Sequence, residues 1–206
     1  MIRASLTRRL ASLAVDLSLG ERRRFLRINV NMNLISIQSH VAYGHVGNSA
    51  AVFALQRLGC EVWPIHTVQF SNHTGYGVWK GEVFAAARIG EVIDGIADLS
   101  VLGTCDGVLS GYIGAVETGE AILASVGKVK AANANASYCC DPVIGNRARG
   151  EFVQPGITEF MRDCAVPAAQ IVTPNHFELD RLVGRETRSL AAILCAAADI
   201  HSRRSN

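Results

Sequence analysis

No stretch of this chain approaches the eighteen or so uninterrupted apolar residues that a membrane-spanning helix needs. The longest candidate, around Leu190–Ala198, is too short and runs into Asp199. The six cysteines (60, 105, 139, 140, 164 and 195) form no Cys-x-x-Cys, and no histidine pair has the HxxxH spacing of a helical zinc site. Reduced, buried thiols in a cytoplasmic protein are therefore expected, rather than disulfides or zinc. There is no Gly-x-Ser-x-Gly elbow, which argues against a serine hydrolase, and no Gly-Lys-Ser/Thr ending of a P-loop. Nor does the chain contain a single Gly-Asp dipeptide.

Charge is sparse and uneven. The 206 residues are 49% hydrophobic and 18% charged, with a net charge of +2, a composition that fits a globular protein with a sizeable core. Residues 1–31 hold seven arginines against Asp16 and Glu21, a local excess of +5, which leaves the rest at −3. That slightly acidic body has no basic stripe or RNA-binding motif, so no nucleic-acid partner is expected. The Arg-rich segment reads as an N-terminal extension or as a transit peptide, and either way it is set apart from the fold. Met32, followed by Asn33-Leu34-Ile35-Ser36-Ile37, runs directly into a strand pattern.

From Met32 onward β-like and helix-like runs alternate. Strands are expected at Leu34–Gln38, Val62–Phe70, Gly107–Ser110, Ser137–Cys140 and Ala169–Val172, with Pro64 marking an edge position or bulge. Helices are expected at Asn48–Leu58 (closed by Gly59), Glu91–Asp98, Thr118–Ala132, Glu159–Cys164, His176–Val183 and Ser189–His201. Such alternation implies one α/β domain, residues 32–206, with a mostly parallel sheet flanked by helices. The pattern stops on a helix where a further strand is expected, which suggests that C-terminal strands and helices are missing.

Ligands of open parallel sheets gather beyond the carboxyl ends of the strands. Here each apolar run ends in polar or small residues: Ser39-His40, then Ser71-Asn72-His73-Thr74-Gly75-Tyr76, Ser110-Gly111-Tyr112, Asp141-Pro142 and Thr173-Pro174-Asn175. Five such endings in succession favour a rim built for a polar small molecule. The stretch Gly44-His45-Val46-Gly47-Asn48-Ser49 is either an ordinary βα turn, with Asn48 or Ser49 as helix cap, or a loop whose backbone approaches a ligand. Asp141 is either a turn residue or a ligand for Mg²⁺ held on phosphates, since that cation uses one or two carboxylates plus waters. Asn175-x-x-Glu178 has the spacing of a capping box. The alternative places Glu178 beside the metal and across from Asp141. His66, within a strand, reads as a satisfied structural residue.

Several of these blocks resemble pyridoxal kinases of the ribokinase-like superfamily. They are Ser36–Ala51, Trp63–Gly77, Leu109–Tyr112, Val129–Asn133, Cys140–Val143 and Thr173–Asn175, in that order, and the likeness extends from about Met32 to the C-terminus. The resemblance implies phosphorylation of the 5′-hydroxyl of pyridoxal and related B6 vitamers by ATP and Mg²⁺ in vitamin B6 salvage, by a cytoplasmic homodimer. It implies that Ser39, Thr74, Gly75 and Tyr112 contact the substrate, that Asp141, Thr173 and Glu178 serve ATP, and that Asp141 and Glu178 serve the metal. Relatives often carry a polar residue where Gly75 offers only backbone. The loop Gly145–Gly150 would flank the phosphates, with Arg147 or Arg149 neutralising charge. The family's base and anion hole lie in a Gly-rich turn ending in Gly-Asp, which these residues lack, so this chain alone is expected to be catalytically incompetent and poorly soluble. The competing readings are a kinase of hydroxymethylpyrimidine type on the same fold, a non-catalytic B6-binding or dimer-forming remnant, and a partial gene model of an ordinary kinase.

Overall fold

The computed structural model describes residues 32–203. The Arg-rich extension of residues 1–31 lies outside them. Six strands form one sheet in the order β3-β2-β1-β4-β5-β8. They are β1 (Asn33–Tyr43), β2 (Glu61–Asn72), β3 (Gly81–Val83), β4 (Gly107–Ser110), β5 (Ser137–Cys140) and β8 (Ile171–Val172). All neighbours are parallel except the short edge strand β3, which runs antiparallel to β2. A two-stranded hairpin, β6 (Gly145–Asn146) and β7 (Gly150–Glu151), stands apart from the sheet.

The helices are α1 (Asn48–Arg57), α2 (Ala86–Asp98), α3 (Val116–Ala132), α4 (Ile157–Phe160), α5 (His176–Val183) and α6 (Leu190–Ser202). Helix α4 continues through a π turn, Met161–Ala165, into Val166–Ala168. Right-handed crossovers require α1 to cover one face of the sheet and α2 and α3 the other, and α2 and α3 do pack together.

The two faces of β1 differ because its sequence alternates Ile-Ser-Ile-Gln. Ile35 and Ile37 enter the apolar core with Ile89 and Ile93 of α2, Ile122 and Val126 of α3, and Val108 of β4. Ser36 and Gln38 are equally buried but polar, and they meet Asn48 of α1. Gln38 Nε2 donates to Ser36 Oγ at 2.9 Å, and Ser36 Oγ donates to Asn48 Oδ1 at 2.7 Å. Asn48 Nδ2 faces the carbonyl oxygens of Ser36 and Ile65 and Nδ1 of His66, all at 3.0–3.1 Å. His66 is therefore satisfied, as the sequence suggested. Its pKa is held below the usual histidine value, first by burial and then by the charge of His40, whose ring lies 4.4 Å away.

Some local expectations are corrected. Neither Asn48 nor Ser49 caps α1: the cap is Gly47, Asn48 is drawn into the network under the helix, and Ser49 Oγ bridges the backbone N–H and carbonyl of Val41. Helix α2 starts at Ala86 rather than Glu91, and β1 and β2 run beyond the expected ends to Tyr43 and Asn72. Pro64 sits where β2 has β1 on one side and no strand on the other, since β3 pairs only with Val68–Phe70. The missing Pro N–H costs no ladder hydrogen bond on that open side. All six thiols are free, but Cys164 and Cys195 are exposed rather than buried. Burial pushes the Cys139 and Cys140 thiols up to about 11 and about 12, so both stay protonated and unreactive. Leu190 and Leu194 project from α6 into solvent.

Replacing Asn48 by Ala removes the hub of the buried network and strands Ser36, Ile65 and His66 without their partner. The Asn48→Ala protein is expected to lose about 3 kcal/mol of stability, the scale of leaving buried polar groups unmatched. Urea unfolding checks this, and a loss below about 0.5 kcal/mol would show that the network is not a determinant of the fold.

Candidate functional site

The sheet order sorts the rim residues into two groups. After β2 and β3 the chain crosses β1 to continue as β4, so the topological switch lies between β1 and β4, where ligands of such sheets bind. Thr74 and Gly75 follow β2, Ser39 lies on β1, and Tyr112 follows β4. Asp141 follows β5 and Thr173 follows β8, with Glu178 on the next helix. The residues expected to hold substrate thus occupy one side of the rim, and those expected to hold nucleotide the other.

Ser39 stands at an irregularity. The β1–β2 register moves from Gln38↔His66 to His40↔Gln69, so Thr67 and Val68 together oppose Ser39. Bulges of this kind re-aim side chains beside functional sites. The Gly44–Gly47 loop folds back onto this point. Gly47 has φ +53°, and a Cβ there would strike the Ser39 carbonyl and come within 2.5 Å of its Oγ, so only glycine lets the loop approach. Thr74 opens a 3₁₀ turn, Thr74–Tyr76, capped by His73, whose Nδ1 accepts from the Gly75 N–H at 3.0 Å. Tyr112 is half-buried, its carbonyl accepting from Thr67 Oγ1, and burial raises its phenol pKa.

On the other side, Asp141 and Thr173 are in direct contact. Thr173 Oγ1 donates to Asp141 Oδ1 at 3.2 Å. The backbone that carries them is shared with the sheet: Asp141 N donates to the Ser110 carbonyl, and Thr173 N donates to the Cys140 carbonyl. Burial raises the Asp141 pKa, and the Thr173 hydrogen bond only partly offsets it. A half-buried carboxylate with a single side-chain donor is an oxygen ligand still short of positive charge, which suits a hard cation. Among the described residues, no group of three or more His, Cys, Asp or Glu side chains is arranged to hold a metal unaided. Such a cation would therefore need ligands from phosphates and water as well.

Glu178 is 4% exposed and does what the capping-box spacing indicated. Its Oε2 accepts from Asn175 N at 2.8 Å, while Asn175 Oδ1 accepts from Glu178 N at 3.1 Å. It also does more. Glu178 Oε1 accepts from Ile144 N at 3.2 Å and lies 3.5 Å from Gly145 N, and Asn175 Nδ2 donates to the Gly145 carbonyl. Burial raises its pKa against these N–H groups, and the Asp141 charge raises it further. Glu178 thus anchors the segment that leads from Asp141 to the β6–β7 hairpin.

The hairpin carries the two arginines flagged in the sequence, and they diverge. Arg147 turns towards α5, with Nη2 3.5 Å from His176 Nδ1 and 4.0 Å from Asp180. It opens there on a cavity of about 740 Å³ lined also by Thr187 and Ser189. In that cavity Asp180, His176 and Thr187 already pair with one another. Arg149 turns the opposite way, towards the Thr74–Gly75 side of the rim: a Cβ built on Gly75 would lie 3.0 Å from its Nη1. The sequence did not show this contact. Its only local signal was the Gly145-Asn146…Gly150 spacing of a turn, in which Asn146 Oδ1 accepts from the Ala148 and Arg149 N–H groups.

Residues 104–206 match the family model described as phosphomethylpyrimidine kinase. The chain belongs to this kinase family. It is 60% identical over 169 residues to a pyridoxal kinase PdxY of Rubrobacter xylanophilus, an alignment covering 82% of this chain and 58% of that protein. With the pyridoxal kinase PdxY of Deinococcus radiodurans it shares 55% identity over 171 residues, 83% of this chain and 57% of the relative. The family fold is equally plain in three dimensions. A pyridoxal kinase from Leishmania donovani, solved with ADP and pyridoxamine, superposes with a TM-score of 0.78 at 34% identity, covering 84% of this chain and 61% of the other. That of Trypanosoma brucei gives 0.74 at 32% identity, covering 85% and 61%. The architecture is therefore the ribokinase-like fold of the pyridoxal kinases, and the chain spans somewhat more than half the length of the relatives it matches.

The raised pKa of Asp141 fixes the sign of its effect on stability. Ionising a carboxyl whose folded pKa lies above its unfolded value destabilises the folded state. Stability should thus fall as pH rises from about 3.8 through the raised folded value. Asp141→Asn removes that penalty, so the variant is expected to melt at or above the wild-type temperature at neutral pH in the absence of cation. On the cation-ligand reading of Asp141, the wild type alone should gain stability from Mg²⁺ with ATP. A variant that is less stable at neutral pH, or that is stabilised equally by Mg²⁺ and ATP in a thermal melt, would contradict this assignment.

Proposed function

We propose that this chain is a pyridoxal kinase polypeptide, transferring phosphate from ATP to the 5′-hydroxyl of pyridoxal in vitamin B6 salvage. The observation that carries the reading is the spatial sorting of the rim, with Ser39, Thr74, Gly75 and Tyr112 to one side of the β4–β5 boundary and Asp141 and Thr173 to the other. The pyridoxal kinase relatives at 55–60% identity support it, as do the solved relatives holding ADP together with pyridoxamine or pyridoxine.

On this reading Ser39 takes the polar edge of the pyridine ring, Tyr112 packs near the ring, and Thr74 and Gly75 lie over it. Asp141 and Thr173 face the nucleotide phosphates. Mg²⁺, when bound, would neutralise phosphate charge, held by Asp141 with phosphate and water oxygens. Glu178 adds its charge behind that water shell. Phosphoryl transfer depends mainly on positioning and electrostatic stabilisation, with a base to accept the hydroxyl proton. The Gly-Asp turn expected to supply that base has no counterpart among the 206 residues.

A cytoplasmic homodimer is the assembly we propose. Tyr43 and Tyr76 face each other with ring centroids 6.1 Å apart, and Val78 and Trp79 follow, all exposed on one stretch of surface. Among the described residues no helix is long and apolar enough to cross a membrane. Residues 1–31 we read as an extension preceding the domain of residues 32–206.

The family model's own description keeps a second reading in view, a kinase acting on a hydroxymethylpyrimidine. Calorimetry on the 206-residue chain separates the two. Pyridoxal is expected to bind at least about tenfold tighter than hydroxymethylpyrimidine, the discrimination that a few matched polar contacts provide. With ATP present, the isolated chain should show negligible turnover, since a positioned base typically contributes about 10²–10⁴-fold. Preference for the pyrimidine would replace the pyridoxal reading, and turnover at ordinary kinase rates would show that a base lies within these residues.

A further inference from the structure

The two arginines of the β6–β7 hairpin have different electrostatic standing. Arg147 is drawn to Asp180 and His176, and so spends its charge on α5. Arg149 makes no ion pair with any carboxylate among the described residues; its guanidinium lies over the Phe152 ring, 5.3 Å from the centroid. Its backbone is fixed, because Asn146 Oδ1 accepts its N–H at 3.0 Å and the hairpin base is clamped by Glu178 and Asn175. The side chain reaches across the rim to Gly75, and the absent Cβ at Gly75 makes room for Nη1 beside the turn that begins with Thr74. An un-neutralised, forked cation is thus held at the seam between the nucleotide-side hairpin and the substrate-side turn. Guanidinium groups of this kind recognise phosphate through paired N–H donors.

We propose that Arg149, and not Arg147, binds the phosphate group carried on the pyridine side of the site, that is, the phosphate monoester of the product. This rests on the pyridoxal kinase reading above and adds to it which arginine acts and on which ligand. Because Arg149 contacts the Gly75 turn rather than Asp141 or Thr173, its charge favours the phosphorylated ligand over the free alcohol.

The test uses the full 206-residue chain with pyridoxine and pyridoxine 5′-phosphate, which lack the aldehyde that would react with lysines. Calorimetry should show Arg149→Ala weakening the phosphate ester at least about tenfold while pyridoxine changes less than about twofold, the loss of one charge-assisted contact. Arg149→Lys should recover part of the difference, and Arg147→Ala should alter neither affinity. An ester affinity unmoved by Arg149→Ala, or moved as much by Arg147→Ala, overturns the assignment even if pyridoxine still binds. If the wild type binds neither ligand, the kinase reading and the Arg149 assignment fall together. Far-ultraviolet circular dichroism of each variant guards against a loss that merely reflects unfolding.

Discussion

The buried carboxylate of Glu178 is the interaction on which the Asp141–Thr173 side of this molecule depends. A carboxylate so far from water is tolerated only when hydrogen bonds replace its hydration. Here the replacements are backbone N–H groups from two places, Asn175 at the start of α5 and Ile144 and Gly145 after β5. One side chain therefore ties a helix N-terminus to the segment that begins at Asp141. The distance between Asp141 and Thr173 is fixed as a consequence, since each lies a few residues from one end of that tie. The helix dipole at the N-terminus of α5 adds to the stabilisation of the charge.

The Ser39 side of the rim is built by a different device. Its anchor is the central strand, whose Ile-Ser-Ile-Gln alternation buries hydrocarbon on the α2–α3 face and a hydrogen-bonded chain under α1. The network that runs through Asn48 to His66 links β1, β2 and α1 just before the register change at Ser39. A bulge in a loosely held pair of strands would slip; here Asn48 bonds to both strands and removes that freedom. Gly47 then brings the loop against Ser39 from above.

Much of this was legible in the sequence. The five main strands, the α5 capping box and the polar strand ends followed from residue pattern alone, because each is a local feature with a short-range cause. Pairing was not local. Nothing in Gly81–Val83 marks it as a strand except the partner β2, and nothing in Asn48 distinguishes a cap from a buried hub until β1 and β2 are placed beneath it. Glu178 was legible as a cap but not as the anchor of Ile144 and Gly145, since that contact spans more than thirty residues. The opposite courses of Arg147 and Arg149, two residues apart on one hairpin, depend on which neighbours each meets, and no spacing rule states that.

The order of the strands also limits where a reaction can take place. Ser39 lies on β1 and Asp141 just after β5, strands separated by β4, so the two sides of the rim stand about two strand spacings or 10 Å apart. What lies between is the end of β4, Ser110-Gly111, the smallest pair of side chains on the rim. Both are buried: Ser110 Oγ shares a hydrogen bond with the Tyr138 hydroxyl, and Gly111 packs so closely on the Gln38 side chain that a Cβ there would strike it. The Gly75 turn and the Glu178-clamped hairpin stand at the two sides of the rim, and Arg149 reaches from the hairpin to the turn. On the proposed reading, a molecule gripped at Ser39 alone, or a nucleotide held at Asp141 alone, would leave its reacting end facing water. Water is excluded from between the two sides, on that same reading, only when both ligands are bound, the condition under which fixed charges act most strongly on a transferring group.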